Sequence, residues 1–63
     1  MYTLTGLRDY ARKVGLEHPA LQSELSEIYS LAHSEVEDGE SENHEVELAF
    51  GDIECLLEEL TNA

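Results

Sequence analysis

Apolar side chains recur along this chain at helical intervals, in three runs separated by polar breaks. Leu4, Leu7, Ala11 and Val14 stand at i, i+3, i+7 and i+10, which places them on one face of a short helix. Thr3 is suited to cap its start, with Tyr2 and Leu7 spaced to close a hydrophobic staple. Gly15 fits the left-handed position just past a helix end, and Arg12 and Lys13 then fall in the last turn, where cations complement the helix dipole. The spacing predicts a helix from about Leu4 to Val14.

Pro19 suits the first position of a second helix, because the N–H it lacks has no partner there in any case. From it run Leu21, Leu25, Ile28, Ala32 and Val36, with Tyr29 at the edge of the same face, until Gly39 interrupts an acidic polar stretch. This predicts a helix over about Pro19–Glu37, with Ser41 as the cap of the next one. The third run is ambiguous at its start. Val46, Leu48 and Phe50 alternate with Glu45, Glu47 and Ala49 as a strand would, so His44–Phe50 admits either reading. Val46, Phe50, Ile53, Leu57 and Leu60 also keep a helical 4-3-4-3 spacing through Gly51, and that pattern explains more of the chain. A helix from about Glu42 to Thr61 follows, weakened by Gly51 by roughly 1 kcal/mol against alanine.

Three helices with short polar connections predict an all-α fold in one small domain, residues 1–63. Helices 2 and 3 form an antiparallel hairpin, with the short N-terminal helix packed across it. The expected core is Leu4, Leu7, Ala11, Val14, Leu21, Leu25, Ile28, Ala32, Val36, Val46, Phe50, Ile53, Leu57 and Leu60. Leu31, Leu48 and Leu56 are left over as a surplus that would pack on another copy or on a partner.

Length adds a constraint. A chain of 63 residues buries only about 60% of its unfolded surface. Cys55 is alone, so no disulfide is possible within the chain, and Cys55 with His18, His33 and His44 shows no metal-ligand spacing. No metal or cofactor is expected. Self-association, most simply as a homodimer, is the remaining common source of stability at this size, and it should strengthen with salt because the copies repel. No apolar run approaches the roughly 20 residues needed to span a bilayer, and the N-terminus lacks the pattern of a signal peptide. A cytoplasmic protein with a free thiol is expected.

Charge changes the picture most. The net charge is −12, and its distribution is lopsided: Arg8, Arg12 and Lys13 are the only basic side chains, while the fifty residues from Val14 onward carry 14 of the 15 carboxylates. Such a field repels nucleic acid and anionic membrane and attracts basic surfaces. On a helical wheel, Glu45, Asp52 and Glu59 form a column on one side of the apolar stripe of helix 3. Glu47, Glu54 and Glu58 form a column on the other, with no cation in either long helix to face them. Like-charged neighbours such as Glu54 and Glu58 oppose the helix by a few tenths of a kcal/mol. Those six residues are the candidate partner-binding set. Surface acidity also serves solubility alone, which needs no site. No nucleophile motif, triad or cofactor fingerprint is present, so no catalytic residue is assigned and an enzyme is not expected.

Tyr10-Ala11-Arg12-Lys13-Val14-Gly15-Leu16 resembles the start of a DNA-reading helix-turn-helix, but Glu24 stands where an apolar residue belongs. Pro19 and the acidic run Ser23–Glu27 occupy the positions of base and phosphate contacts. The whole chain, opening Met-Tyr-Thr-Leu-Thr-Gly-Leu-Arg-Asp-Tyr-Ala-Arg-Lys and closing Ile-Glu-Cys-Leu-Leu-Glu-Glu-Leu-Thr-Asn-Ala, resembles the small early accessory proteins of lambda-like bacteriophages encoded between the exonuclease and excisionase genes. That resemblance implies a role in host takeover or phage development through host or phage protein partners, in the host cell cytoplasm. It supplies no site residues. The expected function is an acidic protein-interaction module binding a basic protein surface. The alternatives are a DNA mimic that inhibits a nucleic-acid-binding protein and a small helix-turn-helix-like regulator.

Overall fold

The computed structural model describes residues 1–62 and contains three α-helices and no strand among them: α1 (Leu4–Glu17), α2 (Gln22–Glu37) and α3 (Glu42–Asn62). A single 3-10 turn, Pro19–Leu21, joins α1 to α2. The segment His44–Phe50 is helical throughout, as its longer periodicity requires.

Helices α1 and α3 start side by side. Thr3 caps α1, its hydroxyl accepting the Gly6 N–H at 3.1 Å, while Leu4 N–H donates to the Glu42 carboxylate and Tyr2 N–H to Asn43 Oδ1, each at 2.8 Å. Glu42 therefore satisfies an orphan donor of α1 and places a negative charge at the positive ends of both α1 and α3. Ser41 serves the start of α3, with its backbone carbonyl accepting the Glu45 N–H at 2.9 Å and its hydroxyl a longer bond from His44 N–H at 3.4 Å. Further along, Phe50 sits between Tyr10 and Tyr2, ring centroids 5.1 and 5.4 Å apart and tilted by about 45°. The bonds of Leu4 to Glu42 and Tyr2 to Asn43, and the packing of Tyr10 on Phe50, join residues about forty apart, so α1 runs along α3 in parallel, and α2 returns antiparallel against both. The result is an up-down-up bundle 36 Å long and 18 Å across.

The core is apolar throughout. Leu7, Val46 and Ile53 are fully buried, with Leu25, Val14, Ala32, Ala49 and Leu21 around them and no buried polar side chain among the described residues. Each large side chain so buried contributes roughly 1.5–3 kcal/mol. Leu4, Ala11, Ile28, Phe50 and Leu57 pack half-buried against this cluster. Ala49, outside the expected core, is buried. Leu56, expected as surplus, also packs on the cluster. Leu60 is 43% exposed and leaves the expected core. The reason is length: α3 has 21 residues, about 31 Å, against about 21 Å for the 14 residues of α1, so its last turn outruns its neighbours. Val36, in the last turn of α2, is half-buried and outside the core cluster, because only the polar hairpin turn lies beyond it.

Gly15 does not take the role expected of it, whereas Gly39 ends α2 as expected. Helix α1 does not end at Gly15 but continues to Glu17, so Arg12 and Lys13 are not in its last turn. It stops at His18, whose backbone (φ −132°, ψ 75°) has left the helical region that the following proline disfavours. Gly15 is helical and buried, and a Cβ there would stand 3.2 Å from Gln22 Cγ and 3.5 Å from Leu25 Cδ1. The start of α2 packs closely over it, and Gln22 Nε2 donates to its carbonyl at 3.1 Å. The left-handed glycine is Gly39, φ +105°. Its N–H donates to Val36 O and that of Glu40 to Glu35 O, both at 3.1 Å, the Schellman closure of α2.

These assignments fix the sign of three substitutions, each read from urea unfolding followed by circular dichroism. Gly51→Ala should stabilise the chain by up to about 1 kcal/mol, because Gly51 is helical and a Cβ there meets nothing within 4 Å. Gly39→Ala should destabilise it by about 1 kcal/mol, the left-handed backbone being strained for alanine. Glu42→Ala should also destabilise, by about 1 kcal/mol, through loss of the bond that joins the two helix starts. If Glu42→Ala is neutral, that bond does not hold α1 in place.

Candidate protein-interaction surface

Helices α2 and α3 pack against each other, and Ile28, Ala32 and Glu35 of α2 line one groove with Glu45, Ala49 and Asp52 of α3. On the solvent side of this seam a groove of about 150 Å³ opens, floored by Ile28, Ala32 and Ala49. Leu31 from α2 and Leu48 from α3 stand on it, 62% and 53% exposed. They are exposed because each lies one step beyond the arc of its helix that the partner helix covers. Glu35, Glu45 and Asp52 rim the groove; Glu45 is half-buried against it and the other two are exposed. No lysine or arginine lines it.

The six carboxylates singled out by sequence do not converge. Glu45 and Asp52 belong to this groove. Glu58 and Glu59 line a shallow depression with Cys55 and Asn62 near the far end of α3. Glu47 and Glu54 are exposed and lie, by helical geometry, beyond Phe50 on the edge of α3 that faces α1. The two columns thus occupy opposite edges of one helix rather than a common face. Glu35 is the residue missed by an inspection of α3 alone. Its signal is Ala32 and Glu35 one turn apart on α2, which only the register of the hairpin brings level with Glu45 and Ala49.

Ion pairing leaves these groups untouched. The two pairs within 4.0 Å among the described residues are Arg8–Asp9 at 3.7 Å and, when the imidazole is protonated, His33–Glu37 at 3.2 Å. Among the described residues no three His, Cys, Asp or Glu side chains gather as a metal site, and no helix is long and apolar enough to cross a membrane. Cys55 is an exposed free thiol. The turn glycine that a helix-turn-helix needs is absent, since Gly15 lies inside α1. Comparison with protein-family models, with curated proteins and with solved structures found no match to this chain.

Proposed function

We propose that this protein is an acidic interaction module that docks on a basic surface of another protein through the groove between α2 and α3. The observation that carries the reading is the pairing of two exposed leucines, Leu31 and Leu48, with a rim of three carboxylates, Glu35, Glu45 and Asp52, that have no cation beside them. Apolar knobs supply burial on association, and the uncompensated rim selects a partner bearing lysine or arginine around an apolar patch. The remaining carboxylates, Glu47, Glu54, Glu58 and Glu59 among them, raise the encounter rate through the long-range field without needing contact. The resemblance to small early proteins of lambda-like bacteriophages makes that partner a host or phage protein, and the role one of modulating host takeover or phage development.

Charge reversal separates the two edges of α3. Immobilised protein is expected to capture a basic partner from a lysate of infected cells, and the complex should weaken as salt rises. Glu45→Lys with Asp52→Lys should lower capture more than tenfold while circular dichroism stays unchanged. Glu47→Lys, Glu54→Lys and Glu58→Lys together should slow association and change the dissociation rate little. Equal capture by the Glu45/Asp52 variant would refute the groove as the docking surface.

A further inference from the structure

The opposite groove, between α1 and α2, has the complementary character. It is the larger, about 290 Å³, its walls are mainly Ala11, Leu16, Leu25 and Tyr29, and its rim carries Arg8 and Arg12, both arginines of the chain. Leu16 is 74% exposed beside it. In a molecule with 15 carboxylates, Arg12 has none within 4.0 Å among the described residues, and Arg8 has only its neighbour Asp9, with both side chains more than half exposed. The cations of this groove are therefore not used up inside the chain.

We propose that this arginine-rimmed groove receives the Leu31/Leu48 edge of a second copy, with Arg8 and Arg12 meeting Glu35, Glu45 and Asp52 of that copy. Both halves of the contact are present on one molecule: an apolar trough rimmed by guanidinium groups, and two leucine knobs rimmed by carboxylates. Because the two surfaces are different, the contact is head-to-tail rather than self-complementary. The net charge of −12 on each copy opposes approach over long range, whereas the facing arginines and glutamates lie at contact distance. Salt shortens the Debye length from about 10 Å at 0.1 M to 3 Å at 1 M, so it removes the distant repulsion before the partly buried local attraction. Self-association accordingly rises with salt. It also occupies the groove assigned above to a basic partner, so the two compete, although the self-contact stands without that assignment.

Sedimentation velocity tests the proposal with the full chain at about 0.05 and 0.3 M salt. Wild type is expected to be monomeric at low salt and to associate at the higher. Arg8→Glu with Arg12→Glu lacks the receiving groove, and Glu45→Lys with Asp52→Lys lacks the acidic edge. Each variant alone should remain monomeric at 0.3 M salt. An equimolar mixture should associate, because one variant keeps the intact groove and the other the intact edge. If the Glu45/Asp52 variant loses helicity, Leu48→Gln replaces it in the same mixture. Wild type that is monomeric at both salts, an Arg8/Arg12 variant that associates like wild type, or a mixture that stays monomeric would each overturn the proposal. Failure of partner capture alone would overturn only the function proposed for the acidic groove, since capture and self-association have opposite salt dependence.

Discussion

The contact between α1 and α3 is the interaction on which the rest of this molecule depends. Helices α2 and α3 carry 11 of the 15 carboxylates and no lysine or arginine, so their pairing gains nothing from electrostatics. Cohesion has to come from apolar burial, and Leu7 of α1, fully buried with Val46 and Ile53 of α3, supplies its centre. Phe50 extends that contact by sitting between Tyr2 and Tyr10. Glu42 fixes the register from the end, through its bond to Leu4 N–H. Without α1 in this position, the hairpin would expose one flank of α3 and keep only the burial of Leu25 and Ala32 of α2 against α3 to offset the repulsion.

The same constraint leads to the surface features. Three helices in an 18 Å wide bundle leave two grooves along α2, and the charge pattern makes them opposites. The groove shared with α1 has both arginines on its rim, because α1 is the only basic element. The groove shared with α3 has only carboxylates. A chain that mixed charge signs would have compensated both rims internally, and the exposed Leu31 and Leu48 would then sit in an ordinary polar surface. Here the acidic rim has no ion pair among the described residues, and the basic rim has only Arg8–Asp9.

Much of the fold was legible in the sequence. Helical spacing of Leu7, Val46 and Ile53, the Thr3 and Ser41 caps and the break near Gly39 locate all three helices to within a few residues. The misassignments share one cause. Gly15 has the look of a helix-ending glycine in isolation; only the packing of Gln22 and Leu25 over it, and the stop imposed by Pro19, place it inside α1. Leu60 continues the periodicity perfectly, and only the relative lengths of the helices reveal that nothing covers it. The acidic columns were visible on the wheel of α3. That Glu45 and Asp52 join Glu35 in one groove while Glu47 and Glu54 lie on the other edge depends on the register with α2, which local spacing does not encode.

In the proposed function, a basic partner binds at the edge formed by Leu31, Leu48 and their carboxylate rim. The most direct measurement is a methyl and amide chemical-shift titration of the labelled chain with the partner it captures. Binding at this edge is expected to give the largest changes at the Leu31 and Leu48 methyls and at the amides of Glu35, Glu45 and Asp52, with little change at Glu47 and Glu54. The largest changes on the Glu47 and Glu54 edge, with Leu31 and Leu48 unmoved, would contradict it.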